Sequence, residues 1–207
     1  MKRNICILVF GTSITWGAWD KQGGWVARLR NLFYERYKED SEDYCIIYNV
    51  GISGNTTDHI LERFEFEAKQ RIREKTEECI IIFDFGGNDA AFIHSKNDLW
   101  VTEEKFRENI RELINLARKY SQKVFLIGNH PVDEKITNPV PWNKDVSYMN
   151  RDAEKYDKIM KSICEEENVS FIDVFNDLNI ESDFEDGLHL NSDGHEKIFK
   201  KVKKQLS

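Results

Sequence analysis

The sequence predicts an α/β fold built on a parallel sheet, and three observations carry that prediction. Five apolar runs recur along the chain, at residues 4–10, 44–50, 79–85, 123–128 and 169–174. Several of them (CIIYNV, CIIIFDF, VFLIG) are nearly continuous in apolar residues instead of alternating, the pattern of strands covered on both faces. Helical stretches separate the runs, and strand–helix alternation of this kind implies right-handed crossovers within one sheet.

Taken in order, the first strand runs into Gly11-Thr12-Ser13. Helices are predicted at 24–38, 56–74 and 148–167, around the strands at 44–50 and 79–85 and before the one at 169–174. Residues 103–120 place Phe106, Ile110, Leu113, Ile114 and Ala117 on one face, with Thr102 as N-cap and Glu103 and Glu104 in the first turn. After the strand at 123–128, residues 130–147 hold all three prolines (Pro131, Pro139, Pro141) and Trp142. That segment is expected to be a long loop of the lid or binding type. The last helix, 193–205, repeats Ile198, Val202 and Leu206 at spacing four, and lysines crowd its end.

With 207 residues, no repeats and no low-complexity linker, the chain is expected to form one domain, 1–207. A chain of this length buries about 70% of its unfolded surface. The net charge is −7, with Lys and Arg spread along the chain, which argues against nucleic acid or an anionic membrane as the main partner. The cysteines, Cys6, Cys45, Cys79 and Cys164, lack C-x-x-C spacing and read as small buried hydrophobes in a reducing compartment. The N-terminal MKRNICILVF has too short an apolar core for a secretory leader, and no run approaches the ~18 apolar residues of a membrane span. A cytoplasmic location without stable membrane insertion is the expectation.

Open parallel sheets bind ligands at the carboxyl ends of their strands. Ser13 follows the first strand, NVGISGNTT with Gly51 and Gly54 the second, and DFGGNDA with Asn88 and Asp89 the third. EDGLHLNSDGH, with Asp186 and His189, follows the last. A hydroxyl, flexible backbone, an amide and an Asp/His pair thus converge on one sheet edge. A serine hydroxyl needs a base to take its proton; His189 can do this at neutral pH, and Asp186 can hold its tautomer. The backbone N–H groups of Ser13 and Gly54 and the Asn88 side-chain amide are candidate donors for an oxyanion. There is no G-x-S-x-G elbow.

The blocks FGTSITWG, GISGNTT, GGND and DGLHL, in that order across almost the whole chain, resemble the SGNH (GDSL) hydrolase family. The resemblance implies a flavodoxin-like three-layer α/β/α sandwich with a five-stranded parallel sheet, and hydrolysis of small acyl esters or thioesters without a cofactor. It implies Ser13 as nucleophile, His189 as base, Asp186 as its orienting acid, and Ser13, Gly54 and Asn88 as oxyanion donors. One position departs from the pattern: the family's Asp before the serine is Thr12 here. Thr carries no charge and makes fewer hydrogen bonds, which leaves the shape of the first loop and the substrate preference open.

Plainer roles stand beside these. Ser13 alone could be a cap, Asn88 a turn residue, and Asp89 is expected to be structural. His195, on the first turn of the last helix, is expected to be non-catalytic. His94 and His130 follow strands and could line the pocket, although a surface position is the commoner outcome. Trp16 or Trp142 could wall the acyl or sugar pocket, against a plainer role in core packing or loop anchoring. Asp84 and Asp173 would need hydrogen-bond partners if buried, and no spacing suggests a metal site. A small-molecule acyl ester is the expected partner, with a deacetylase, thioesterase or lysophospholipase all open. Two other classes compete: a catalytically silent binding module on this fold, and a nucleotide or phosphate binder. The latter lacks both G-x-G-x-x-G and G-x-x-x-x-G-K-[ST].

Overall fold

The computed structural model describes residues 3–38 and 44–206. Met1 and Lys2, the first residues of the stretch considered as a leader, lie outside them. Five parallel strands, β1 (Asn4–Gly11), β2 (Tyr44–Gly51), β3 (Glu78–Asp84), β6 (Lys123–Ile127) and β8 (Ser170–Ile172), form a sheet in the order β2-β1-β3-β6-β8. This is the doubly wound order in which the chain first steps one way from β1 and then the other. It leaves a crevice between the carboxyl ends of β1 and β3.

The near-continuous apolar strands are explained by helices on both faces. Ile7 and Val9 of β1 pack with Trp25 and Leu29 of α2 (Gly24–Lys38) and with Ile198 and Val202 of α7 (Ser192–Gln205). The alternate residues Leu8 and Phe10 pack with α3 (Thr57–Arg71), α4 (Glu103–Arg118) and α6 (Asn150–Glu166). Three layers result, with residues 7–10 fully inaccessible at 0% exposure. The Thr102 side chain accepts from the Lys105 N–H at 3.4 Å, as an N-cap should. Cys6, Cys45 and Cys164 are buried and Cys79 half-buried, all as free thiols.

The segment 130–147 is not a bare loop. It contains α5 (Glu134–Thr137) and β7 (Val146–Ser147), and β7 joins β4 (Phe92–Ile93) and β5 (Asp98–Leu99) in a three-stranded antiparallel sheet, β5-β4-β7. Strands of two residues carry no readable period, so the sequence pattern could not announce them. Ala91, Ile93, Val140 and Val146 give this small sheet its own apolar cluster. Among the described residues no helix is long and apolar enough to cross a membrane.

Candidate active site

The end of β1 turns straight into the one-turn helix α1 (Ser13–Trp16), which begins on Ser13. Gly11 makes this possible, because a Cβ there would lie 1.9 Å from Thr15 Oγ1 and 2.4 Å from the Asp84 carbonyl oxygen. The turn is pinned from both neighbouring strands. Thr15 Oγ1 donates to Asp84 Oδ2 at 2.7 Å, and Asn49 Nδ2 donates to the Thr15 carbonyl at 2.7 Å. Thr12, at the N-cap position, makes no side-chain capping bond. The turn is therefore organised by Asp84 and Asn49 and not by the residue before the serine.

Asp84 also receives the Trp25 indole N–H at 3.0 Å, which supplies the partners its place in a strand demanded. Burial nevertheless dominates and raises its pKa to about 6. Asp173, just beyond β8, is half-buried with Lys161 at 3.6 Å. Asp89 accepts the Thr57 N–H at 2.9 Å and so caps α3.

In the segment between β8 and α7, Asp186 is saturated with donors. Oδ1 accepts from the N–H groups of Leu188 (3.0 Å) and His189 (2.7 Å). Oδ2 accepts from His189 Nδ1 at 2.8 Å and from the Trp19 indole N–H at 2.9 Å. Burial alone would raise the Asp186 pKa, but the His189 and Leu188 hydrogen bonds outweigh it and hold the carboxyl at about 2. The imidazole is bracketed by two rings, Trp142 at 6.1 Å and Trp19 at 6.4 Å between centroids. Trp19 reaches Asp186 from a left-handed backbone position, φ +64°, uncommon for so bulky a residue.

Ser13 and His189 face the same two adjoining cavities. The inner one holds ≈ 30 Å³ and is lined by Ile14, Phe85, Ala90, Val132, Met149 and Ala153, among others. The outer basin holds ≈ 210 Å³, with Ser53, Gly54, Trp100, Val140 and Trp142 on its wall. Asn88 and Tyr148 stand where the two meet. Gly54 has φ +80°, a conformation that favours glycine, and a Cβ there would meet nothing within 4 Å. Asn88 Nδ2 donates to the Asn55 carbonyl at 2.8 Å, and its Oδ1 accepts from the Tyr148 hydroxyl at 2.9 Å.

Ser13, Gly54, Asn88, Asp186 and His189 are thus brought to one place. His130 is buried and lines the inner cavity, against the commoner surface expectation. Its Nδ1 bonds the Pro131 carbonyl at 3.0 Å, Phe184 packs at 5.6 Å, and burial lowers its pKa to about 4, so it stays neutral. Trp142 lines the outer basin, whereas Trp16 does not line either cavity. The Trp16 backbone lies against Gly51 of β2, where a Cβ would come within 2.5 Å of its nitrogen, and its side chain is 61% exposed. That is the flank of β1 away from β3 and Asn88. His94 is exposed and bonds Ser147 at 2.8 Å, and His195 is buried with Nε2 3.2 Å from the Ala18 carbonyl. Trp19 and Tyr148 contribute contacts that the sequence did not assign to the site, since neither lies within a motif block. Among the described residues no cluster of His, Cys, Asp or Glu could hold a metal ion.

Comparison with known proteins places the chain in a family. Residues 9–197 match the model of the GDSL-like Lipase/Acylhydrolase family, and the chain belongs to that family. It is similar to a GDSL esterase/lipase of Arabidopsis thaliana, 26% identical over 97% of this chain and 63% of that protein. An uncharacterised lipoprotein of Bacillus subtilis is 32% identical over 62% of this chain and 49% of its own length. The chain therefore spans less than two thirds of both relatives. Among solved structures, a lipase/acylhydrolase from Enterococcus faecalis superposes with TM-score 0.72 at 26% identity, covering 100% of this chain and 95% of the other. A variant of an acetyl xylan esterase from Geobacillus stearothermophilus gives 0.73 at 20% identity, with 100% and 97% covered, and so shares the fold.

Proposed function

We propose that the chain is a serine ester hydrolase acting on esters of short acyl groups. The observation that carries this reading is the 2.8 Å Asp186–His189 hydrogen bond, with His189 and Ser13 both on the wall of one small cavity. With Asp186 holding a proton on Nδ1, His189 presents Nε2 as a base. Ser13 Oγ attacks the ester carbonyl while its proton passes to Nε2. The oxyanion that forms is met by the Ser13 and Gly54 N–H groups and by the Nδ2–H of Asn88 that Asn55 does not occupy. Collapse breaks the bond to the alcohol oxygen, which takes the proton back from His189. Water, activated by the same imidazole, then hydrolyses the acyl-serine and restores the hydroxyl.

The solved structures of the Geobacillus esterase include catalytic mutants at one serine, one aspartate and one histidine, the same three residue types. The inner cavity of ≈ 30 Å³ supports a short acyl group, since it has room for about one to two water-sized groups. The outer basin would then take the alcohol. Thioester and lysophospholipid substrates with long acyl chains fit the inner cavity less well.

The test is intact-mass spectrometry after fluorophosphonate treatment of wild type and Ser13→Ala. One adduct on wild type, mapped to Ser13 and absent from the variant, is expected. Folded wild-type protein that takes no adduct would overturn the reading in favour of a silent binding module.

A further inference from the structure

We propose that Tyr148 is a positioning residue of this site: its hydroxyl locks the Asn88 amide in the orientation that aims one N–H at the oxyanion. The proposal rests on the esterase reading. A primary amide offers two N–H donors and one acceptor oxygen. In Asn88 one N–H is taken by the Asn55 carbonyl at 2.8 Å, and the oxygen is taken by the Tyr148 hydroxyl at 2.9 Å. The amide is therefore held at both ends, and its second N–H is the one left for the cavities that Asn88 lines. A donor fixed before the reaction costs no reorganisation when charge develops. A hydrogen bond into the amide oxygen also polarises the amide and makes its N–H groups better donors.

Tyr148 is itself fixed. Its backbone N–H donates to the Thr137 carbonyl at 2.9 Å, and its carbonyl accepts from the Thr137 hydroxyl at 2.9 Å. Thr137, fully buried at the end of α5, is bound in turn to the Asp133 carbonyl at 3.1 Å. The proline-containing segment thus delivers a phenol to the site. Burial raises the phenol's pKa, so it remains a donor across the working range.

The test measures kcat and KM on p-nitrophenyl acetate for wild type, Tyr148→Phe, Asn88→Ala and the double variant. Tyr148→Phe is expected to lower kcat about tenfold with KM within about twofold, because one hydrogen bond acting on the transition state is lost. In the Asn88→Ala background the same substitution is expected to have no effect, since the group it positions is gone. An equal loss in both backgrounds, a change confined to KM, or an unchanged kcat would overturn the proposal. Thr137→Val, which loosens Tyr148 without touching Asn88, is expected to show a smaller loss that also vanishes with Asn88→Ala; a loss that persists would also overturn it.

A second readout does not depend on turnover. The Asn88 side-chain amide signals, assigned by their absence in Asn88→Ala, are expected to shift in the ¹⁵N spectrum of Tyr148→Phe. Unmoved signals would refute the lock even if the ester is hydrolysed. Shifted signals on a wild type that hydrolyses no ester would count against the esterase reading and not against the lock.

Discussion

Asp84 is the buried carboxyl that ties the turn carrying Ser13 to β3, and its titration makes a quantitative prediction. Burial raises its pKa from 3.8 to about 6, although Thr15 and Trp25 both donate to it. Folding therefore favours the protonated form. The stabilisation from this group is fully present below pH 3.8 and is lost as pH rises through about 6. A change of about two units corresponds to roughly 3 kcal/mol. Asp84→Asn keeps an oxygen to accept from Thr15 and Trp25 but cannot ionise. Its stability relative to wild type is thus expected to improve by roughly 3 kcal/mol between about pH 4 and pH 7.

The assay is urea unfolding of both proteins at several pH values across this window, reading the difference between them. The difference matters because other groups titrate too. Asp89 and Asp157, each also raised to about 6 by burial, act in the same direction as Asp84. His130, lowered to about 4, acts in the opposite one: its contribution is present above the ordinary histidine value and is lost as pH falls through about 4. Subtracting wild type from variant cancels these. A difference that stays flat from pH 4 to pH 7 would refute the argument that burial outweighs the two donors.

Further outcomes are expected at the site. Asn88→Ala should lower kcat by about 10²–10³ with the fold unchanged, read by steady-state kinetics and thermal unfolding; an unaffected rate would remove Asn88 from the oxyanion hole. Gly54→Ala meets no steric obstacle but must hold φ +80°, which costs about 1–2 kcal/mol for a residue with a Cβ. The loop should relax and turn the N–H away, so kcat should drop more than stability does. Rates on p-nitrophenyl acetate should far exceed those on the octanoate, because the inner cavity of ≈ 30 Å³ cannot take a long chain; equal rates would mean that the acyl group lies in the outer basin.

Much of this protein was written in local pattern. Continuous apolar strands such as CIIIFDF imply cover on both faces, and parallel strands with alternating helices leave few topologies to choose from. Strand ends are where such sheets present ligands, so Ser13 and Asn88, a few residues past β1 and β3, and Asp186 and His189, in the longer segment between β8 and α7, stood out as candidates. The spacing of Asp186 and His189, three residues apart, lets one turn of chain close their hydrogen bond.

Tertiary structure decided what depends on distant segments meeting. Trp19 reaches Asp186 across 167 positions of sequence, and Tyr148 reaches Asn88 across 60. No local period or motif encodes such a bond, because it exists only after α1, the small sheet and the last loop have packed. Trp16 and Trp142 look equally suited to a pocket wall in sequence. Only packing separates them: Trp16, at the end of α1, sits against Gly51 of β2 with its side chain in solvent, while the segment carrying Trp142 is folded back by the small antiparallel sheet to lie beside His189. The residue types that could carry chemistry were legible one by one; which groups hold the others in place was settled by the three-dimensional contacts alone.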